Sequence, residues 1–287
     1  MPERECSVGI LSGLKGLGLD KLENMDIYGE EEKKETEKPA AVVNKINEKD
    51  LIFEKSFTCP VCDGSFSAKI VKSGKAKLIG TDQDLRAKYE GIDPAKYDVL
   101  LCPDCGYAAL SRYFQGVTSV QAKLIREKVS QSVHVSSYDD EVYSYEQAME
   151  RYKLVLVDAV VKKAKASEKA YICLKSAWLL RGYAESLQEA GNPDEKLLQE
   201  LAQQETEYLE NAYKGFVDAR QTEGFPMCGM DEVTIDYLIA ALAARGKKYD
   251  VAGKLVASLL TNSAASARIK ERARELKEQI LEDMKKK

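Results

Sequence analysis

The phrase Cys-Pro-x-Cys occurs twice in this chain, as Cys59-Pro60-Val61-Cys62 and as Cys102-Pro103-Asp104-Cys105-Gly106. No other feature restricts the fold as much. A C-x-x-C turn aims two sulfurs in one direction, and two such turns complete the four-thiolate tetrahedron that Zn²⁺ favours, with Zn–S near ~2.3 Å. The expected metal ligands are therefore Cys59, Cys62, Cys102 and Cys105, and the expected cofactor is Zn²⁺ in a structural role. Four thiolates close the coordination shell and leave no position for water or substrate. The competing reading is a pair of redox-active dithiols. Gly106 counts against it, because a glycine there permits the tight turn whose backbone N–H groups donate to metal-bound sulfur.

Composition sets the context for those cysteines. The chain has 287 residues, 44% hydrophobic and 31% charged, the balance of a globular protein with room for two ordinary domains. No window approaches the ~18 consecutive apolar residues of a membrane span. Met1-Pro2-Glu3-Arg4-Glu5 lacks the basic and apolar regions of a secretory leader, so a cytoplasmic location without a membrane partner is expected. There, seven cysteines argue for metal ligation rather than disulfides. Cys6, Cys173 and Cys228 share no spacing motif and read as a tail thiol, a helix-face packing residue and a loop residue. A net charge of −4 disfavours nucleic acid as a partner for the chain as a whole.

Three regions are expected: a flexible segment and charged linker over 1–50, a zinc-ribbon-like β unit with an insertion over 51–115, and a helical domain over 116–287. In the first, Ile10, Leu11, Leu14, Leu17 and Leu19 are interleaved with Gly9, Gly13, Gly16 and Gly18. Each glycine costs a helix ~1 kcal/mol relative to alanine. Glu30 to Lys38 is an almost wholly charged tract before Pro39, which reads as a solvated linker. The segment before it reads as a mobile tail or as a peptide that docks on a groove elsewhere. From Leu51 to Cys105 the apolar period is two, as in Phe66, Ala68 and Ile70, and Tyr97 to Leu101 runs straight into the second cysteine pair. The 39 residues between the pairs exceed the roughly 15 to 20 of a compact ribbon, so an insertion must project. It is expected to hold a strand near Ala76 to Thr81, a turn-rich stretch from Asp82 to Gly91, and a turn at Asp93-Pro94.

Beyond Tyr107 the period is 3.6. Thr118 and Gln121 are spaced for a capping box. The following helix places Met149, Tyr152, Val155, Leu156, Ala159 and Val160 on one face. Ser167 is expected to cap the next, with Tyr171, Leu174, Ala177, Trp178 and Leu179 inward. Asn192, Pro193 and Glu195 read as N-cap, N1 and N3 of a long helix using Leu198, Leu201, Leu209, Tyr213 and Phe216, stopped by Gly224 and Pro226. Asp231 is expected to cap a helix through Leu242, Gly246 to turn the chain, and Asn262 or Ser263 to start the last helix. Segments of this length, each two helices with alanine at close approaches, are expected to form a tetratricopeptide-like helical-hairpin array. The fold class is therefore mainly α, with a small N-terminal β zinc-ribbon unit.

Other candidate chemistry is sparse. The insertion carries Lys69, Lys72, Lys75, Lys77, Arg86, Lys88 and Lys96 against Asp82, Asp84, Glu90 and Asp93, a local basic excess that makes nucleic acid an alternative partner. Only Tyr89 and Tyr97 supply the aromatic interleaving of single-strand binders, and a lysine-blunted edge strand is the simpler reading. Asp84, Arg86 and Tyr89 are a candidate polar site, for a small molecule or an enzyme, with an internal ion pair as the simpler reading. His134 is the only histidine and has no accompanying nucleophile motif, so it reads as a surface or hinge residue. Asp139, Asp140 and Glu141 precede a helix and suit its dipole. Lys55, Lys69 or Arg112 are candidates to screen the charge of a metal-thiolate centre.

The stretch Thr58-Cys59-Pro60-Val61-Cys62, followed by Thr81-Asp82-Gln83-Asp84-Leu85-Arg86, Tyr89-Glu90-Gly91-Ile92-Asp93-Pro94 and Tyr97-Asp98-Val99, and closing on Cys102-Pro103-Asp104-Cys105-Gly106-Tyr107-Ala108, resembles the bacterial domain-of-unknown-function 2225 family. The resemblance covers most of the chain from Leu51 onward, and Ala87 departs from it where proline is frequent. It implies a bacterial cytosolic protein with a zinc ribbon and a tetratricopeptide-like C-terminal part, and it carries no activity. The function expected is that of an interaction or scaffold protein binding a peptide or protein on its helical face, in an oligomeric state that the residues leave open.

Overall fold

The change of apolar period along the sequence becomes a change of architecture. The computed structural model describes residues 46–135, 140–191 and 194–285. The segment preceding residue 46, with its glycine-rich stretch and charged linker, lies outside the described residues. Within them, three two-stranded antiparallel ribbons precede seven α-helices, so the fold is mainly α with small strand pairs in its N-terminal part, as expected. Lys45–Lys287 form one compact unit. Among the described residues no helix is long and apolar enough to cross a membrane.

Strand β1 (Ile52–Thr58) pairs with β2 (Ser65–Val71) in a register running from Ile52 opposite Val71 to Thr58 opposite Ser65. Their turn is the first cysteine phrase, closed by Cys59 N–H to Gly64 O at 2.9 Å and Asp63 N–H to Cys59 O at 2.9 Å. Strand β5 (Val99–Leu101) pairs with β6 (Ala108–Leu110) around the second phrase. The same pattern recurs there, with Cys102 N–H to Tyr107 O at 2.9 Å and Gly106 N–H to Cys102 O at 3.0 Å. Gly106 has φ +73°, and a Cβ on it would run into the Val133 side chain. The position therefore needs glycine for both its backbone angle and its space.

The insertion holds β3 (Leu78–Thr81), near its expected place, and β4 (Ala87–Tyr89), which falls in the stretch expected to be turns. The true turn is the tip Asp82 to Arg86, closed by Asp82 N–H to Arg86 O at 2.8 Å, with Leu85 at φ +70°. Asp93 caps a short 3-10 turn over Pro94–Tyr97 through Ala95 N–H at 3.0 Å.

The helices are α1 (Ser119–Lys128), α2 (Tyr145–Val161), α3 (Ala166–Glu189), α4 (Glu195–Thr222), α5 (Glu232–Arg245), α6 (Tyr249–Thr261) and α7 (Ala267–Lys285). From α1 to α7 each packs on the next, and α5 also packs on α7. The Thr118 and Gln121 capping box is formed, and Ser144 with Gln147 makes a second one at α2. Asp231 caps α5 through Thr234 N–H at 2.8 Å.

Four expectations need correction. Ser167 lies inside α3 rather than capping it; its N–H and Oγ donate to the Glu223 carboxylate at 2.9 and 2.5 Å. A side chain beyond the end of α4 thus satisfies donors that a local cap would have served. The cap of α4 is Asp194, whose carboxylate accepts from Lys196 N–H at 2.9 Å; Asn192 and Pro193 lie outside the described residues. The last helix starts at Ala267, with Ser266 Oγ accepting from Ile269 N–H at 3.3 Å, rather than at Asn262 or Ser263. Val160 is exposed on α2, and its place on the inner face is taken by Asp158.

Phe66, Tyr107, Phe114 and Ile125 form the core beneath the two cysteine turns. Ribbon β5–β6 also packs with α2 and α3 around Tyr152, Val155 and Leu179. The helical cores run on through Trp178, Phe216 and Leu238, then Tyr237, Val256 and Leu276.

Candidate functional site

The two cysteine turns, 40 residues apart in sequence, face each other. Cys59 Sγ lies 3.6 Å from Cys105 Sγ, Cys62 Sγ lies 3.6 Å from Cys102 Sγ, and all four sulfurs fall within 4.8 Å of one another. Sulfurs bound tetrahedrally at ~2.3 Å from one ion stand about 3.8 Å apart. A disulfide needs ~2.05 Å. The spacing therefore fits a shared metal ion, and the residues present fit the group the cysteine motif implies. Cys59, Cys102 and Cys105 are buried and Cys62 is the solvent-facing member.

The hydrogen bond with Cys105, helped by Val61 N–H at 3.4 Å and opposed by burial, lowers Cys59 to about 5. The hydrogen bond with Cys59, with burial added, pushes Cys105 well above the usual thiol range. Burial raises Cys102 to about 11. An ion held by these four sulfurs would require them as thiolates, so its binding would release thiol protons.

Neighbouring elements fasten the two turns. Arg126 on α1 donates to Val61 O at 2.5 Å, placing a guanidinium on the first turn, where four thiolates around a divalent ion would leave net negative charge. The residues expected in that role are elsewhere: Lys55 lies over Phe57, Lys69 over Tyr143, and Arg112 donates to Cys228 O. Asp158 on α2, 0% exposed, accepts from Ala108 N–H at 2.7 Å and so ties β6 to the helices. Burial raises its carboxyl to about 7, against the Ala108 hydrogen bond and the Lys162 charge.

The second cluster is the insertion tip. Asp84 and Arg86 are 3% and 7% exposed. On α3, Arg181 grips Asp84 in a fork, with Nη2 to Oδ2 at 2.6 Å and Nη1 to Oδ1 at 3.0 Å, and also reaches Asp82 at 2.8 Å and Glu205 at 2.8 Å. Burial works to raise the Asp84 carboxyl, but the Arg181 hydrogen bond and charge, with Arg245 behind them, hold it below the usual range. On α5, Tyr237 OH donates to Gln83 O at 2.9 Å, and on α7, Arg272 Nη1 donates to Asp82 O at 3.1 Å. Leu85 packs between the two helical cores. Side chains of three alternate helices thus hold one tight turn, Asp82 to Leu85, which is itself closed by Leu85 N–H to Asp82 O at 3.1 Å.

Arg86 turns the other way. It pairs with Glu185 at 2.9 Å, and Lys88 joins the same carboxylate at 2.8 Å. With Tyr89, Asp93, Lys96 and Tyr145 it lines a cavity of about 750 Å³. Asp84 instead lines a cavity of about 490 Å³ with Arg181, Arg245, Lys247, Gln279 and Asp283. The three candidate polar residues are therefore divided: Asp84 and Arg86 belong to one ion network but face different cavities, and Tyr89 joins only the larger one. Gly182 on α3 allows this contact, because a Cβ there would strike Asp93 and crowd Arg86.

The lysines of the insertion are largely engaged. Lys77 pairs with Glu90, Lys96 with Glu48, and Lys72 Nζ donates to Asp50 O. His134 is exposed, with Nδ1 3.2 Å from Ser132 O. Asp139 lies outside the described residues, while Asp140 accepts from Gln147 Nε2 at 2.6 Å at the start of α2. Trp178 and Cys173 are buried in the helical core, as expected.

Arg181, Glu205, Tyr237, Arg272, Arg126 and Asp158 were not singled out from sequence. Their one signal was polarity on an otherwise apolar helix face, as where Arg181 follows Leu179 and Leu180 or Asp158 precedes Ala159.

A family model described as an uncharacterized protein conserved in bacteria, DUF2225, matches residues 52–280. No curated protein and no solved structure matches the chain.

Proposed function

The chain belongs to the DUF2225 family, and on that footing we propose that it is a zinc-stapled cytoplasmic interaction protein whose helical groove holds a peptide segment of a partner protein. On this reading residues 51–115 form the stapled β unit and 116–287 a tetratricopeptide-like array, a likeness supported by the packing of each helix on the next. Zinc is the metal that suits four thiolates at tetrahedral spacing. Cys59 and Cys62 would hold it from the first ribbon, and Cys102 and Cys105 from the second. Its binding energy, ~10 kcal/mol for a structural site at neutral pH, becomes folding energy for a unit made of short strands.

The observation that carries the interaction reading is the grip on the tip. Arg181, Tyr237 and Arg272, from α3, α5 and α7, already bind a turn of the chain, and the adjoining cavity of about 490 Å³ continues the groove. The engaged lysines of the insertion count against the nucleic-acid alternative, which needs open cations along a backbone. The test is selection of displayed random peptides on the zinc-loaded full chain and on Ala244→Arg, which fills that cavity. Peptides enriched on the wild type and lost on Ala244→Arg are expected. Equal enrichment on both would reject the groove, and no enrichment would reject the interaction reading.

A further inference from the structure

The tip is seated as a ligand is seated. Its strand neighbours β3 and β4 lie between Gly74 and Gly91, both at φ +72°. Beyond them the chain enters the helical groove with a distinct contact at each residue. The two carbonyls Asp82 O and Gln83 O are read by Arg272 and Tyr237, contacts indifferent to the side chains at those positions. The Gln83 side chain is exposed and unread. The selective contacts come next: the Asp84 carboxylate in the Arg181 fork and the Leu85 side chain between the two helical cores. Asp82 adds a second carboxylate on Arg181 Nη1 at 2.8 Å. A bidentate guanidinium–carboxylate pair with an adjacent apolar slot is how a groove selects sequence while backbone contacts supply generic affinity.

We propose that the α3–α5–α7 groove recognises an acidic turn of the form Asp-x-Asp-Leu, and that residues 82–85 are its resident occupant, which a partner segment of the same chemistry and turn conformation displaces. The inference rests on the groove reading above and names its partner class. Set against Glu185, Glu205 and Asp283, the cations Arg181, Arg245, Lys247 and Arg272 leave the groove net positive once the tip's own carboxylates are out, which suits a segment with two carboxylates. The resident also sets a threshold. A partner binds only the fraction of molecules whose tip is out, so its apparent Kd is the intrinsic value divided by that fraction. Weakening the tip should therefore raise affinity in trans, the opposite of what damage to a purely structural contact would do.

The experiment uses a fluorescein-labelled peptide of residues 81–86, Thr-Asp-Gln-Asp-Leu-Arg, and measures anisotropy on the zinc-loaded full chain and on Asp84→Ala/Leu85→Ala. The expected result is at least about tenfold tighter binding to the variant, lost when the peptide itself carries Asp84→Asn. The wild type supplies a second readout that needs no variant: excess peptide should release the resident hairpin and speed tryptic cleavage at Lys75, Lys77 and Arg86. Failure of both readouts while other displayed peptides bind the groove overturns this inference and leaves the groove reading standing. Failure of every peptide to bind overturns both.

Discussion

Removing the Arg181 guanidinium should unlatch the insertion from the helices. Of its three carboxylate partners, two keep other cations: Glu205 retains Arg245 at 2.7 Å, and Asp82 retains Lys88 at 3.3 Å and Arg86 at 3.5 Å. Asp84 alone loses the cation that hydrogen-bonds to it, and it is 3% exposed. Breaking a buried pair from one side costs ~3–5 kcal/mol, whereas replacing both partners by apolar groups is near neutral. Arg181→Met should therefore cost ~3–5 kcal/mol, Asp84→Leu less because Arg181 keeps Asp82 and Glu205, and the double variant less than their sum by a coupling of ~2–3 kcal/mol. Urea unfolding of the zinc-loaded chain, followed by the fluorescence of its single tryptophan, Trp178 in the α3 core, measures all three. Single-variant losses below ~1 kcal/mol that simply add would refute the claim that this pair clasps the insertion to the array.

Two further outcomes follow from the ribbon side. Asp158 has its carboxyl raised from 3.8 to about 7 in the fold, so its protonated form favours folding: that contribution is complete below pH 4 and lost as pH rises through 7. The full penalty is ~4 kcal/mol, of which ~1.4 kcal/mol falls between pH 6 and 8. Asp158→Asn should remove this pH-dependence in urea titrations across that window, and an unchanged slope would show that the buried carboxylate does not titrate there. Gly106→Ala meets both a positive φ and the Val133 side chain, so it should cost at least ~1–2 kcal/mol and weaken metal retention against a chelator. Retention equal to wild type would mean that the second turn tolerates a different geometry.

What the sequence made legible was local. The cysteine phrases, the Thr118 capping box, the Asp231 cap and the period-two strands each depend on residues a few positions apart, and each is formed. Features that depend on distant partners were not legible. Ser167 looked like a cap because the carboxylate serving that helix start, Glu223, is 56 residues away. Strand β4 has three residues, Ala-Lys-Tyr, and little intrinsic strand preference; it is paired because the tip before it is anchored by Arg181, 97 residues from Asp84. Asp194 and Asn192 are equally good caps by residue type, and only the described helix start at Glu195 selects between them. That Asp84 lines one cavity and Arg86 and Tyr89 another has a backbone reason: Leu85 at φ +70° turns its two neighbours apart, which alternation along a sequence does not reveal.

The central claim is that two hairpins from separate ribbons converge their sulfurs on one ion. X-ray absorption at the zinc edge of the purified full chain tests it most directly. The account predicts one zinc per chain with four sulfur neighbours at ~2.3 Å. A first shell containing nitrogen or oxygen, or protein that holds no zinc and carries disulfides between these cysteines, would contradict it.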